Sequence, residues 1–408
     1  MRFLTAATII AGISGFVVII VAAWALGADI ETTTEFNAYW GLFFAATGVL
    51  GGIMQETTRA VSTAREQNTT PSGNPTARPL LVALGIGVIT AVLIAASGPL
   101  WIGQLMRTEH VTGIALLAVG LLSYAIQAAV AGVLSGCQLW RQYATMIALD
   151  SGVRMVIALV AWQAGWGLLA FLVITVIGAA SWLVIAATSP EARVALRSLT
   201  DVPPRTFFTR VGTAMVASGA NAVLITGFPT LVRLTNPDTT GQAVTAAAVI
   251  YAVTLTRAPL LVPLQQFQSA MIVHFVKHRD TPLRALIRPL GFVWAVGLVG
   301  AAGAWLVGPW LMEFLLRQSA FAVPGSVLAM LTIGATCTAS LMVAGSATIA
   351  YERHNLYLVG WLVATGAAIG LLLLPLPLAT SASLALIVGP LLGLALQGVG
   401  MLRTSTGG

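Results

Sequence analysis

Arg154 and Asp150 stand four residues apart in YATMIALDSGVRMVIALVAW (143–162), a stretch that is otherwise almost wholly apolar. Residues at that spacing share a helix face, so the two charges can pair with each other or meet a ligand together. Ionisable groups inside an apolar span are costly and mark either a structural ion pair or a hydrated cavity. Arg257 occupies a second such stretch, TRAPLLVPLQQFQSAMIVHF (256–275), ahead of Pro259, Pro263 and the polar set Gln265, Gln266 and Gln268. Proline within a helix removes a backbone hydrogen bond and favours a kink. In a bilayer the freed carbonyls are tolerated where protein or water covers them. A guanidinium carries a planar fork of donors suited to phosphate. Arg154 and Arg257 are therefore the candidates for holding a diphosphate, with Asp150 tuning or releasing it. Asn221, beside Ser218 in a third apolar stretch, and Gln265 are candidates for further substrate contacts. Glu56 and Arg59 are candidates for a gate, with snorkelling to an interface as the plainer alternative.

The elements that must position these groups are set by composition. The chain has 408 residues, 58% hydrophobic and 8% charged, with a mean hydropathy of +0.92. Soluble domains run near a quarter charged, so the chain is built for lipid. Stretches of about twenty apolar residues occur at 3–27, 37–64, 79–103, 110–138, 143–164 and 166–188. After a polar stretch they resume at 207–233, 241–276, 285–308, 325–350, 355–376 and 380–402. Twelve spans put both termini on one side. Fifteen of the 20 Lys and Arg residues then fall in the loops and ends of that side. Arg107, Arg233 and Arg317 fall on the other, while Arg154 and Arg257 stay within spans. Cytoplasmic loops carry the excess of basic residues, so both termini are expected in the cytoplasm of a multi-pass inner (cell) membrane protein. The same rule accounts for the net charge of +7 without nucleic acid. Arg154 then lies about 12 residues, roughly 18 Å, from the cytoplasmic end of its helix.

Other chemistry is thinly represented. Cys137 and Cys337 both lie in apolar runs and offer neither a disulfide framework nor metal-ligand spacing. No phosphate-binding Gly-Lys-Ser/Thr occurs. The longest loops, 65–79 and 189–206, are short and polar, so no cofactor and no enzymatic domain is expected. The stretch 189–206 divides the chain into a six-helix half, 1–188, and a second, 207–408.

The halves carry related segments. GPLWIGQLMR (98–107) and GPWLMEFLLR (308–317) share Gly, Pro, Leu and Arg at the same four positions. LWRQY (139–143) and AYERH (350–354) follow the fourth span of each half, and Ser14-Gly15 and Ser218-Gly219 sit in the first. Such repeats point to duplication, and transporters of this kind bind substrate between halves near mid-membrane.

The second span, FNAYWGLFFAATGVLGGIMQETTRAVS (36–62), resembles the second helix of polysaccharide transporters in the MOP (multidrug/oligosaccharidyl-lipid/polysaccharide) flippase superfamily, with an aromatic-rich start, Gly-rich turns and a terminal Arg. The stretch 256–275, with its Arg-x-Pro, is similar to that family's eighth helix, and Arg154 matches an Arg in the fifth. The resemblance implies an all-α polytopic fold and alternating-access export of a lipid-linked (polyprenyl-diphosphate) oligosaccharide or related cell-envelope glycolipid. The lipid II branch fits less well, because the first span has only Arg2 at its edge and two further helices are missing. The multidrug branch often has an acidic residue inside the first helix, and 3–27 contains none. Efflux of drugs coupled to a proton or sodium gradient is the alternative, with Asp150 as coupling group. A membrane glycosyltransferase or polymerase is the remaining one, disfavoured by short outer loops and the lack of a DxD pair.

Overall fold

The computed structural model describes residues 2–26, 30–66, 76–235, 244, 246–278, 282–316 and 323–405. Arg279 and Arg317, two of the basic residues counted above in reading sidedness, lie outside the described residues. Within them all regular structure is helical. Among the described residues eleven helical spans are long and apolar enough to cross a membrane, and the first helix adds a shorter apolar stretch, Ile10–Leu26. The chain is thus an all-α multi-pass membrane protein, folded as two compact units, 1–215 and 216–408.

The first unit is built around α4 (His110–Gly136), against which α2 (Ile30–Glu66) and α3 (Pro79–Leu105) pack. Between helices in lipid there is no difference in hydrophobicity to drive association, so small residues that let backbones approach do most of it. Gly132 and Gly136 of α4 do this against α2. A Cβ on Gly132 would stand 2.5 Å from Thr57 Cβ and 2.9 Å from the Met54 carbonyl. The same seam carries a hydrogen bond between the Thr58 and Ser135 hydroxyls, 3.0 Å. At the other end Tyr39 donates to the Gly113 carbonyl, 3.1 Å. α1 (Arg2–Leu26) lays Val18, Val21 and Ala22 on Ala158 and Ala161 of α5 (Trp140–Gln163).

The second unit repeats the plan with α14 (Gly325–Ala350) at its centre, buried at every position from Gly334 onward. α11 (Ala246–Lys277), α12 (Pro282–Leu306) and α16 (Leu378–Ser405) surround it. α15 (His354–Leu372) meets α16 through Gly360, Gly389 and Gly393. α14 is rich in Ser and Thr, yet those hydroxyls turn back onto its own carbonyls. Thr332 donates to Leu328, Thr336 to Thr332, Thr338 to Gly334, Ser340 to Thr336 and Ser346 to Met342, all at 2.8–2.9 Å. This local bond makes a polar side chain acceptable inside an apolar bundle.

The two central helices end alike. Gln138 and Glu352 both adopt φ near +60°, a conformation uncommon for non-glycine residues. Cys137, Gln138 and Leu139 donate backbone N–H bonds to Val133, Ser135 and Leu134. Tyr351, Glu352 and Arg353 donate in the same order to Ala347, Ile349 and Thr348. Gly98 packs on the Ile114 side chain, and Gly308 on that of Leu328. The register is 214 residues at the helix caps and 210 at the glycines.

Several spans differ in detail from their reading in the sequence. The sixth is broken into α6 (Leu168–Ile177), a 3-10 turn Gly178–Ala180, and α7 (Ser181–Thr188). The seventh stops at Ile225 as α9 (Pro204–Ile225), and a separate short helix α10 (Phe228–Thr235) follows. The connecting stretch contains a further short helix, α8 (Pro190–Ala195), N-capped by Ser189, whose hydroxyl accepts from Ala192 N–H at 3.2 Å. The Gly-Pro repeat falls within α3 in the first unit. In the second it starts a separate helix, α13 (Gly308–Leu316). α11 runs without interruption through Pro259 and Pro263.

The contact at Gly132 yields a stability prediction. Gly132→Val places bulk against the α2 backbone, and overpacking of this kind costs about 1–3 kcal/mol. A fall of several degrees in the thermal midpoint of the detergent-solubilised protein is expected, read by intrinsic tryptophan fluorescence. Gly152→Ala, which meets open space, is expected to leave it unchanged.

Candidate functional site

Arg154 and Asp150 do come together. Arg154 Nη1 donates to Asp150 Oδ2 at 2.5 Å, and the guanidinium is nearly sealed, the residue being 4% exposed. Asp150 Oδ1 accepts from Gln127 Nε2 of α4, 3.1 Å, and Gln127 Oε1 accepts from the Ser181 hydroxyl, 3.1 Å. The aromatic rings of Phe43 and Phe44 flank the cation, with centroids 6.0 and 5.3 Å from Arg154 Cζ.

The remaining partner explains why the pair sits where it does. Arg154 Nε donates to the Thr175 carbonyl, 3.1 Å, one turn before the 3-10 interruption in the sixth span. The Ala179 carbonyl in that interruption accepts from the Ser123 hydroxyl, 2.7 Å, which in turn accepts from Trp182 Nε1, 3.1 Å. A broken helix in lipid needs replacement donors for its backbone carbonyls, and here side chains of α4 and α5 provide them. Gly178 is required for this approach: a Cβ there would stand 2.5 Å from both Arg154 Cζ and the Asp150 carbonyl.

Arg257, in the second unit, has a different environment. Nη1 donates to the carbonyls of Leu224 and Ile225 at the end of α9, 3.1 and 3.3 Å, and the Phe228 ring lies 4.9 Å from Cζ. The residue is 4% exposed. Its Nε and Nη2 have no hydrogen-bond partner, and no carboxylate among the described residues pairs with it. Asn221, one turn before the carbonyls that Arg257 binds, has a buried Oδ1 without a partner, as does the hydroxyl of Ser218. Gln265 lies on an exposed face of α11, about 12 Å along the helix from Arg257.

Glu56 and Arg59 are not snorkelling residues; both are wholly buried. Arg59 Nη2 donates to Glu56 Oε1, 2.7 Å, while its other edge meets Asp201, which lies 142 residues away. Two members of these clusters were missed in the sequence. Gln127 is polar within an apolar span and carries the same signal as Arg154. Asp201 carries none, because an acid in a polar connector looks solvated. No group of His, Cys, Asp and Glu among the described residues is suited to a metal ion.

Fold and site together define a polytopic bundle with buried arginines in both units, Arg59 and Arg154 in the first and Arg257 in the second. Solved structures share that fold over nearly the whole chain. A Vibrio cholerae MATE transporter matches with a TM-score of 0.76 and 12% identity, covering 98% of this chain and 97% of its own. A multidrug resistance MATE family transporter of the MOP superfamily, in an outward-facing conformation, matches at 0.73 and 16%, covering 99% and 96%. A MOP superfamily transporter from Pyrococcus furiosus, described by the reverse polarity of its binding pocket, matches at 0.72 and 16%, covering 96% and 95%. The fold is therefore that of MOP superfamily transporters. No family model matches the sequence. The uncharacterized protein Mb3654 of Mycobacterium bovis is 38% identical over 398 residues, covering 98% of this chain and 91% of its own. The uncharacterized protein Rv1510 of Mycobacterium tuberculosis is 40% identical over 368 residues, covering 90% and 84%. The chain belongs to the family of these mycobacterial proteins.

Breaking a buried ion pair by removing one partner costs about 3–5 kcal/mol, whereas replacing both by apolar groups is often neutral. Asp150→Asn is expected to lower the thermal midpoint markedly, and the double change Asp150→Leu with Arg154→Met to recover part of the loss. Four-way comparison of melting midpoints tests this; additive losses would show that the pair is not a unit.

Proposed function

We propose that the protein is a membrane exporter that moves a lipid-linked, phosphate-bearing glycan across the inner membrane by alternating access. In this reading twelve spans, with both termini cytoplasmic, form two halves, 1–188 and 207–408, joined by 189–206. The fold of the structural neighbours supports transport, and the observation that supports an anionic substrate is Arg257. A cation buried without a counter-ion is unfavourable, and two of its donor groups are left open. An anionic headgroup would satisfy both. Asn221 and Ser218, with unpartnered buried oxygens nearby in the same unit, are suited to hydroxyl donors of the sugar. The lipid tail would remain in the bilayer.

Arg154 takes a lesser part in this reading than its sequence suggests, since its cation is already neutralised by Asp150. Gln265 would contribute from the exposed side of α11. The pocket of the Pyrococcus furiosus protein, described as of reverse polarity and different function, is a precedent for one fold presenting differently charged pockets.

Drug efflux coupled to protons or sodium is the second reading. It is favoured by the likeness to a multidrug resistance transporter and by the partly exposed carboxylate of Asp150, with 19% of the side chain accessible.

The two readings separate in one experiment. Purified protein is reconstituted in liposomes with a fluorescent polyprenyl-diphosphate oligosaccharide, and loss of inner-leaflet label is followed. Wild type is expected to flip it. Arg257→Ala is expected to slow flipping about 10- to 100-fold, the value of a charged hydrogen bond, and Arg257→Lys to retain part of the rate. Well-folded wild type that flips none of several glycolipids would overturn the reading. Drug accumulation driven by a pH or sodium gradient and abolished by Asp150→Asn would then establish the second.

A further inference from the structure

The residues 189–203 between α7 and α9 read in the sequence as a polar, proline-punctuated spacer. In the structure they are fastened to the first unit in three ways. Ala195, with Leu196 beside it, packs on Val61 of α2 and on Val133 and Cys137 at the end of α4. Ser198 Oγ lies 3.6 Å from Cys137 Sγ. Ala77, just before α3, then forms a short ladder with the spacer. Thr200 N–H donates to the Ala77 carbonyl, 3.0 Å, and Ala77 N–H is directed at the Val202 carbonyl and the Thr200 hydroxyl, both 3.1 Å.

Between these contacts Asp201 turns inward. Arg59 Nη1 donates to Asp201 Oδ2 at 2.6 Å and Nη2 to Oδ1 at 2.9 Å, a parallel two-pronged pair. From the other side Glu56 accepts from Arg59 Nε, 3.0 Å, and Nη2, 2.7 Å. Glu56 and Arg59 are 0% exposed, and the Asp201 side chain is 6% exposed.

We infer that Asp201 is a latch that fixes the connector to the first unit through the buried Glu56–Arg59 pair. A solvated spacer needs no buried charge, and sealing three charged groups from water is tolerable only when the geometry is complementary and every donor is used. The two-pronged pair supplies geometric specificity as well as energy, so it selects one register of the connector on α2. α9 continues the attachment: Gly52 of α2 meets its backbone at Ala214 and Met215 so closely that a Cβ would overlap. The connector is thus part of the first unit, and the chain leaves that unit inside α9, after Met215. This inference is independent of what is transported.

Cys137 lies beneath the connector and reports on the latch. In a Cys337→Ala background, maleimide labelling of Cys137 in the full-length purified protein is expected to be slow. Asp201→Asn is expected to speed it about tenfold or more, because loss of a charged pair populates the locally open connector. Arg193→Gln, an exposed charge of the same connector, is expected to leave the rate unchanged. Cys337, tested in the reciprocal Cys137→Ala background, is expected to stay protected, which separates local release from unfolding. Labelling of Cys137 at the wild-type rate in Asp201→Asn would overturn the latch. Hydrogen exchange on the unsubstituted protein tests it without mutation. The Ala77 and Thr200 amides are expected to exchange as slowly as those of α4, and exchange at the rate of an open loop would overturn it equally.

Discussion

Within hydrocarbon there is no water to accept a stray proton donor, so each interruption in a helix and each charge must find its partner inside the protein. The sixth span of the first unit shows how strongly this governs the rest. Its 3-10 turn at Gly178–Ala180 is tolerable because Arg154 and Ser123 reach the Thr175 and Ala179 carbonyls. Arg154 is tolerable because Asp150 neutralises it. Asp150 is held in turn by Gln127, and Gln127 by Ser181, which lies just beyond the interruption. The chain of dependence closes on itself across three helices, and Gly178 is the residue whose small size permits the closure.

The three buried arginines reach three different solutions. Arg154 has one carboxylate, one carbonyl and two aromatic rings. Arg59 has two carboxylates and is fully enclosed. Arg257 has two carbonyls, a ring and open donors. Electrostatically the first two are complete and the third is not. A charge census by sequence would treat them as equals, since each is an arginine in or near an apolar span. Their partners separate them.

The limits of the sequence follow from the same physics. Spans were legible because twenty apolar residues have no other use, and sidedness was readable as an expectation because basic residues cluster in alternate loops. The pairing of Asp150 with Arg154 was legible because both lie on one helix at a fixed spacing. The interruption at 178–180 was not, because Gly178, Ala179 and Ala180 lie in an apolar run that suits a continuous helix, and the one at 226–227, marked only by Gly227 and Pro229, was read as part of one span. Asp201 was invisible as a partner of Arg59, since 142 residues separate them and nothing local distinguishes a buried acid from a solvated one. Gln127 was available on the criterion applied to Asn221 but was hidden among alanines. α11 passes through Pro259 and Pro263 as one helix.

α14 carries a mechanical consequence of its own. The hydroxyls of Thr332, Thr336, Thr338, Ser340 and Ser346 donate to the helix's own carbonyls, so their protons are spent within the helix and not on α11, α12 or α16. Close packing then does much of the work of holding it, as where Gly334 meets Leu386 of α16 and Gly297 of α12 meets Thr336. In the first unit, by contrast, side-chain bonds join α4, α5 and the sixth span. Conformational freedom is accordingly expected to be greater around α14 than around α4.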